Sequence, residues 1–549
     1  MISNADPDQV RYLKLLLKTQ DLGLSVEYRC VRCRDCWSCK NADESEKISL
    51  REEQENQLVR ESIHLNFNNK TIDCTLPIRG EESEFLSTNK ELAIKVLNSV
   101  CNRYHKDDLV KATILAAFNK LFDKGYAKLL NQLTEVERSV FESKDPQYFI
   151  PWRVVFSDSV TTLCRPVLDA TSRTQKRADG SGGRCLSDLV VKGTLNCLDL
   201  LRLVLRWLIG RSAFSGDLSQ YYNSFRLDKR QWNLQRFVWK ENLDPLAETK
   251  EGVITTLIYG VKSVSAQTEE AVRQLAEAVK PSMPLLSGFL LNCLYVDDMG
   301  ESKSSLEECQ NLTKQADKVF EMVGLQCKGW TFSLEDPPEN IAKDGHCIKI
   351  GGLTWIPKVD AFEVPIPLLH FGRRSRGRLD DQTTFFNGEF GDLDTFVPSS
   401  LSRRMVTSKH ASIYDILGKF APITIGLKKD LREVVLSTKS WDEAMPQNLR
   451  TKWLSNFWKI EQLRGIKVHR PRMPVNAKSS KMRLVTCVDA AEVSLMIGCW
   501  GCFEKSDGTW SSQHIIGRGL LAPQNSTIPK NELESLCSGS NLSWWFERP

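Results

Sequence analysis

The stretch Leu294-Tyr295-Val296-Asp297-Asp298-Met299 places two adjacent carboxylates directly after an apolar run. Residues 289–296 predict a mostly buried strand, and the two aspartates that follow predict a tight hairpin turn. A turn is needed for both acids to bind the same ion, because neighbouring side chains on a straight strand point to opposite faces. A third acid, Asp217, follows a second predicted strand at 212–216.

These three acids predict a particular chemistry. Carboxylates that lie close together raise one another's pKa, so a stably ionised group of them indicates bound cations. Oxygen-only ligands favour a hard ion such as Mg²⁺. Asp217, Asp297 and Asp298 therefore predict a site for two Mg²⁺ ions that supports nucleotidyl transfer. A solvated turn is the usual explanation of an isolated Asp-Asp pair, but the apolar flanks and the matching upstream acid favour the metal site.

Five segments of the chain, at residues 165–172, 217–227, 256–263, 295–299 and 350–355, resemble in the same order the motifs of reverse transcriptases. The chain as a whole is similar to the Pol polyprotein of Bel/Pao-type long-terminal-repeat retrotransposons. The resemblance implies an α+β right-hand polymerase, with fingers, a palm with an antiparallel sheet, and a thumb/connection, followed by a partial ribonuclease H-like α/β domain. The implied activity is that of an RNA-directed DNA polymerase.

The resemblance also implies a division of the chain into regions. The order expected along the sequence is a Cys-rich N-terminal segment, a helical or linker region that leads into the fingers, the reverse transcriptase fingers and palm, the thumb/connection, and a truncated ribonuclease H-like domain. These regions are assigned to residues 1–48, 49–145, 146–356, 357–475 and 476–549, respectively.

Four further residues receive substrate-binding roles from the resemblance. Arg165 offers a planar, permanently charged fork to the incoming triphosphate. Tyr222 has the position of a steric gate that excludes a 2′-hydroxyl. The adjacent Tyr221 is then the ring that faces the core, and only the spacing from Asp217 favours Tyr222 over Tyr221 as the gate. Gly260 permits close approach of the backbone to substrate, and Lys328 is a candidate proton donor to the leaving pyrophosphate.

A second set of acids lies near the carboxyl end. Asp489 ends a predicted buried strand, residues 497–502 predict the next strand, and Glu532 lies in the first turns of a predicted helix. This order resembles the beginning of a ribonuclease H domain and implies that Asp489 and Glu532 are its first two metal ligands. The two further acids of that family are not found before Pro549, so this part is expected to be truncated and inactive as it stands.

The amino-terminal region contains three successive Cys-x-x-Cys steps, interleaved with basic residues that lower thiol pKa values. Four thiolates can hold one tetrahedral Zn²⁺, and short steps also suit an iron–sulfur cluster. A cysteine-rich linker between polyprotein segments is the third possibility, and zinc is preferred over it. The cysteines are Cys30, Cys33, Cys36 and Cys39.

Composition agrees with a multidomain protein. The chain has 549 residues, of which 41% are hydrophobic, and a net charge of only +5. The sequence shows neither a signal-peptide core nor a membrane span, so an intracellular location is expected, in a cytoplasmic retroelement particle or in the nucleus.

The expected partners are an RNA template, a DNA primer and deoxynucleoside triphosphates, with no membrane; the oligomeric state is not predicted. The alternative function is a degenerate or domesticated fragment that binds nucleic acid or protein without catalysis.

Overall fold

The computed structural model describes most of the chain from residue 50 onward. The cysteine motif predicted to bind zinc, at Cys30, Cys33, Cys36 and Cys39, lies outside the described residues, and so do residues 1–49 as a whole. The described residues are 50–80, 86, 88–156, 163–174, 183–194, 200–338, 341, 347–372, 374–375, 378–379, 383–478 and 482–547.

Helices are distributed along the whole described chain. None of them combines the length and the apolar character needed to cross a bilayer. In chain order they are α1 (Leu50–Glu61), α2 (Lys90–Tyr104), α3 (Asp108–Asp123), α4 (Glu135–Phe141), α5 (Leu186–Leu189), α6 (Leu200–Ile209), α7 (Val264–Val279), α8 (Pro284–Asn292), α9 (Leu306–Glu321), α10 (Leu393–Phe396), α11 (Arg403–Ala411), α12 (Ala421–Ser437), α13 (Gln447–Gln462) and α14 (Ile528–Glu547).

Strands are mostly short and pair into several small sheets rather than one large one. In chain order they are β1 (Ile63–Asn66), β2 (Thr71–Cys74), β3 (Ala127–Leu129), β4 (Trp152–Phe156), β5 (Cys164–Leu168), β6 (Ser212–Leu218), β7 (Phe225–Leu227), β8 (Arg236–Lys240), β9 (Thr249–Ile254), β10 (Leu294–Tyr295), β11 (Asp298–Lys303), β12 (Cys327–Phe332), β13 (Ile348–Ile350), β14 (Leu353–Ile356), β15 (Ala361–Glu363), β16 (Arg374–Ser375), β17 (Arg378–Leu379), β18 (Lys467–His469), β19 (Arg483–Ala490), β20 (Ser494–Glu504) and β21 (Trp510–Leu521).

The chain folds into two compact units, and each unit is built from several stretches that are separated in the sequence. The first contains the described residues up to 194, together with 218–291 and 315–327. Its sheets have the orders β1-β2-β7, β3-β9-β8 and β4-β5. The aromatic ring of Phe118 on α3 packs at 4.4 Å from that of Trp152 and at 4.6 Å from that of Trp239. Aromatic side chains bury large areas, so this cluster stabilises the contacts among α3, β4 and β8.

The second unit contains residues 200–217, 292–314 and the described residues from 328 onward. Its first sheet has the order β10-β11-β6-β12, and its second has the order β13-β14-β15-β18. Helix α6 packs on the first sheet because most of its apolar side chains are buried, including Trp207. The amide of Gly210, just after α6, donates to Ser302 Oγ on β11 at 2.7 Å. Helix α6 and the strand that follows it are therefore held directly against β11.

The carboxyl-terminal part of the second unit is a three-stranded antiparallel meander, β19-β20-β21, with a helix on each face. Helix α14 covers one face, where Thr486 and Ser543 hydroxyls lie 2.7 Å apart. Helix α12 covers the other face, where it contacts Gly519 on β21. Gly519 pairs with Met496, whose side chain points to the opposite face from that of its neighbour Ile497. The strands predicted around Asp489 and at 497–502, and the helix that begins at Ile528, are present, but the prediction that the first of these strands is buried is wrong, because its residues are exposed and half-buried in alternation.

The strand predicted at 289–296 is wrong for most of its length. Residues up to Asn292 belong to α8, and only Leu294–Tyr295 are extended. The buried residues Leu286, Phe289, Leu290 and Cys293 follow the i, i+3, i+4, i+7 spacing of one helical face. Pro284 suits the first helical position, where its missing amide hydrogen costs nothing. The helical period was present in the sequence but begins upstream of the window on which the strand prediction was based.

Candidate active site

Three aspartates lie at one end of the β10-β11-β6-β12 sheet. In the antiparallel register, Asp298 on β11 lies directly opposite Asp217 on β6. Directly opposed residues share one face of the sheet, so these two side chains project together. Asp297 lies in the two-residue turn of the β10–β11 hairpin, in which Tyr295 pairs with Asp298. The predicted hairpin and the predicted strand before Asp217 are therefore confirmed.

The hairpin turn contains an unusual backbone conformation. Val296 has a φ of +59°, in the left-handed region that a β-branched residue rarely adopts. Two-residue hairpins that match the twist of their strands need positive φ at the first turn position, which glycine normally supplies. Holding valine there costs about 1–3 kcal/mol, and such strain is characteristic of functional sites. The turn keeps Asp297 and Asp298 at the sheet end at that cost.

The electrostatics of the cluster are those of mutually repelling acids. Burial, followed by the charges of Asp297 and Asp217, raises the pKa of Asp298 to about 7. The positive charge of Lys328 opposes this rise. A carboxyl whose ionised form is disfavoured by its neighbours gains the most from an added cation.

The donor set fits a hard divalent ion. One oxygen of Asp217, Oδ1, is buried and has no hydrogen-bond partner. The other, Oδ2, accepts from Lys328 Nζ at 2.6 Å. In the described part of the chain, no three His, Cys, Asp or Glu side chains already converge as a set of metal ligands. A metal would therefore have to draw the carboxylates of Asp217, Asp297 and Asp298 together, with Asp217 Oδ1 as an available ligand.

The raised pKa of Asp298 leads to a pH dependence of stability in the metal-free protein. The carboxyl binds its proton more tightly in the folded chain than in the unfolded chain, for which the usual value is about 3.9. The free energy of unfolding is therefore expected to fall as the pH rises from about 4 to 7 and to stay lowered above that. Urea unfolding at several pH values, in the presence of EDTA, measures this fall.

The variant Asp298→Asn is expected to remove this part of the pH dependence and to unfold at higher urea than the wild type at pH 8. Asp336→Asn is the matched control, since that carboxylate is 59% exposed and pairs only with Lys358 in the described contacts. An unchanged pH slope in Asp298→Asn would contradict the assigned pKa.

Three of the four residues predicted to bind substrate, Arg165, Tyr222 and Gly260, lie in the first unit, and Lys328 lies in the second. Tyr221 is buried, and its hydroxyl donates to the carbonyl of Thr268 at 3.0 Å. Tyr222 is only half-buried, and its ring packs at 4.6 Å from that of Tyr259. Of the two adjacent tyrosines, Tyr221 is thus the core-facing one. The sugar-gate role of Tyr222 itself remains a prediction.

Gly260 follows Tyr259 and has a φ of +95°. A Cβ atom at this position would lie 3.1 Å from the carbonyl oxygen of Leu168 at the end of β5. Ser187 Oγ donates to the Gly260 carbonyl at 3.1 Å. Arg165 lies three residues before Leu168 on the same strand and is exposed. The glycine loop therefore packs against the strand that carries the predicted triphosphate-binding arginine.

Sequence reasoning missed Tyr259. Its side chain is 55% exposed, and it connects the Tyr222 ring to the Gly260 loop. The signal was an aromatic residue directly before a glycine for which close approach to substrate was predicted.

The second set of predicted metal ligands consists of two acids, Asp489 and Glu532. Asp489 is the penultimate residue of β19, and Glu532 is exposed near the start of α14. The helix is fixed there by Asn531 Nδ2, which donates to the Ala491 carbonyl at 3.0 Å, and by Ser535 Oγ, which donates to the Asp489 carbonyl at 3.3 Å. Metal binding by these two acids stays a prediction.

Comparison with known families identifies the carboxyl-terminal region. Residues 402–546 match the family model described as the Pao retrotransposon-like RNaseH-like domain. This region is similar to the Pao retrotransposons. The predicted resemblance to Bel/Pao-type retrotransposons is confirmed for residues 402–546. The match runs from α11 through α14, so it includes the helices that pack on β21 as well as the meander.

Among solved structures, the chain is similar to foamy viral protease-reverse transcriptases. A form called dRH, in complex with double-stranded DNA, has 12% identity and a TM-score of 0.49, over 89% of this chain and 72% of that one. A complex with RNA/DNA hybrid has 14% identity and a TM-score of 0.43, over 79% and 46%. Another complex with double-stranded DNA has 14% identity and a TM-score of 0.47, over 79% and 72%. No curated protein matches.

Proposed function

We propose that this chain is the RNA-directed DNA polymerase segment of a retrotransposon Pol polyprotein, which adds deoxynucleotides to a primer 3′-hydroxyl. The observation that carries the proposal is the register that sets Asp217 opposite Asp298, with Asp297 in the adjoining turn. Three acids at the end of a sheet, two of them beside a strained turn, serve no packing purpose, whereas two-metal phosphoryl transfer requires such a set.

In this proposal the carboxylates hold two Mg²⁺ ions, which would activate the primer hydroxyl and stabilise charge on the phosphorus. Asp217 contributes its unpaired Oδ1, and Asp298, whose pKa is raised to about 7, becomes ionised as its proton is lost to metal binding. Arg165 binds the triphosphate, and Gly260 lets its loop approach the nucleotide. Lys328 protonates the departing pyrophosphate once its ammonium is released from Asp217.

The remaining assignments belong to the same proposal. The fingers and palm lie within 146–356 and the thumb/connection within 357–475, with an RNA template and a DNA primer as partners. Deoxynucleoside triphosphates are the substrates. The protein acts inside the cell, in a cytoplasmic particle or in the nucleus. Asp489 and Glu532 would be metal ligands of a ribonuclease H-like site, and Cys30, Cys33, Cys36 and Cys39 would hold one Zn²⁺.

Primer extension tests the polymerase assignment. The purified chain is supplied with a poly-ribonucleotide template, a complementary DNA primer and one deoxynucleoside triphosphate, with Mg²⁺ or with EDTA. Metal-dependent extension supports the proposal. Tight binding of the primer–template without extension under any metal condition would instead favour a non-catalytic fragment that binds nucleic acid.

Sugar selection by Tyr222 is a further expected property. If the half-buried ring lies under the ribose, Tyr222→Val should raise the ratio of ribonucleotide to deoxynucleotide incorporation about ten-fold or more, because a steric clash is relieved. Deoxynucleotide use should fall only modestly. Single-nucleotide incorporation with both sugars measures the ratio.

The matched control is Tyr221→Val. That ring is buried and hydrogen-bonded to Thr268, so its truncation should cost roughly 3–5 kcal/mol of stability and impair both substrates together. An unchanged sugar ratio in Tyr222→Val, or a larger change at position 221, would show that the gate is elsewhere.

A further inference from the structure

Lys328 makes a direct contact with the carboxylate cluster. The sheet order β10-β11-β6-β12 places its strand, β12, beside β6 and on the side away from β11. Its Nζ atom donates to Asp217 Oδ2 at 2.6 Å. The two side chains are 46% and 38% exposed, so solvent and small ions can reach the pair. The ammonium thus lies on one side of Asp217 while Asp298 faces that residue across β6 and β11.

The charge of Lys328 acts on more than one acid. It opposes the rise in the pKa of Asp298, although the hydrogen bond is made to Asp217. The ammonium is therefore close enough to offset part of the repulsion within the whole cluster. A hydrogen bond to one Asp217 oxygen also leaves the buried Oδ1 without a partner, so the neutralisation is incomplete.

We propose that Lys328 is a resident counter-ion of the Asp217, Asp297 and Asp298 cluster, which an incoming divalent metal ion must displace. The inference rests on the proposed function, because it takes the three acids as the metal site. A divalent ion bound through Oδ1 of Asp217 and the ammonium on Oδ2 would share one carboxylate, and two cations so close together repel each other. Metal binding is thus coupled to release of the lysine, and the released ammonium becomes available to the triphosphate.

An ordinary surface ion pair would have no such coupling. Exposed pairs contribute about 0.2–1 kcal/mol, and breaking one far from a metal site leaves metal affinity unchanged. The chain offers a matched pair of this kind in the second unit: Lys358 Nζ lies 3.1 Å from Asp336 Oδ2, with both side chains well exposed. The two lysines can therefore be compared under identical conditions.

Isothermal titration of Mg²⁺ or Mn²⁺ into the full chain tests the inference. The measurement is made at about pH 8.5, where Asp298 is ionised and protons no longer compete with the metal. Lys328→Met is expected to bind metal about two- to five-fold more tightly than the wild type, since the displaced ion pair is worth up to about 1 kcal/mol. Lys328→Arg keeps the charge and should bind near the wild-type value, and Lys358→Met should be unchanged.

Metal-free Lys328→Met should also melt at a lower temperature than the wild type, with saturating Mg²⁺ removing the difference. Unchanged or weakened metal affinity in Lys328→Met, with normal binding by the wild type, overturns the counter-ion role and leaves the metal site standing. Absence of binding by the wild type, or equal binding by Asp217→Asn, removes the proposed metal site and this inference with it. Should Lys328→Met not fold, Lys328→Gln provides the same comparison.

Discussion

Asp217→Asn is expected to lower the rate of primer extension by at least about a thousand-fold. Loss of one metal ligand removes several kcal/mol of transition-state stabilisation, and each 1.36 kcal/mol corresponds to a factor of ten. Asparagine has almost the same shape as aspartate but is a weaker ligand for a hard cation. Asp297→Asn, in the hairpin turn, should have an effect of the same order.

The same substitution should leave the fold near its original stability. It removes an ion pair with Lys328 that is partly exposed and so contributes at most about 1 kcal/mol. It also removes repulsion from Asp298, which lies directly opposite in the register. These two changes oppose each other, so urea unfolding of Asp217→Asn should nearly match that of the wild type.

Extension rates under saturating nucleotide, together with metal titration and urea unfolding, separate loss of chemistry from loss of structure. Asp336→Asn is the control, since its carboxylate is exposed and pairs with Lys358 away from the cluster. Extension by Asp217→Asn at more than about a tenth of the wild-type rate would exclude this residue as a metal ligand of the polymerase.

Local patterns were sufficient to predict the elements that carry the acids. Short stretches of sequence show the apolar strand that leads to Asp217. They also show the Asp297–Asp298 pair at a position where a turn was needed. The register that places Asp217 opposite Asp298 is set by the pairing of β6 with β11, which are distant in the sequence. The error at 289–292 arose because a short apolar run is compatible with both a strand and a buried helix, and the start of the helix at Pro284 lay outside the run.

Contacts between distant segments could not be read from the sequence. Lys328 meets Asp217 only because β12 lies beside β6 in the sheet, and the sequence alone gives no order for those strands. The φ of Val296 is likewise set by the pairing on either side of the turn, since valine has no local preference for it. Tyr259 became a candidate only through its contact with Tyr222.

The position of β6 depends on a buried arginine at the end of β18. Arg470 has no exposed side-chain surface, and its guanidinium donates to both carboxylate oxygens of Asp360 at 2.9 Å. It also donates to carbonyls in and just after the last turn of α6, those of Trp207, Leu208, Gly210 and Arg211, at 3.3, 2.9, 2.7 and 3.0 Å. A cation there satisfies the unpaired carbonyls of a helix end and is favoured by the helix dipole. Strand β6, in which the candidate metal ligand Asp217 is the penultimate residue, begins directly after these residues.

Arg470→Met is expected to lower the free energy of unfolding by about 3–5 kcal/mol, because the buried carboxylate of Asp360 loses its two shortest charged contacts and several carbonyls lose their donor. Arg472→Met is the matched control: Arg472 lies 3.5 Å from the same carboxylate but is 44% exposed, so its loss should cost less than about 1 kcal/mol. Adding Asp360→Asn to Arg470→Met removes the buried negative charge and should recover part of the lost stability. Urea unfolding of the wild type and the three variants would show this recovery.

Equal stability of Arg470→Met and Arg472→Met would mean that the end of α6 is held by other contacts. If the expected order is found, metal affinity should fall in parallel with stability, because the arginine fixes the helix from which β6 extends to Asp217.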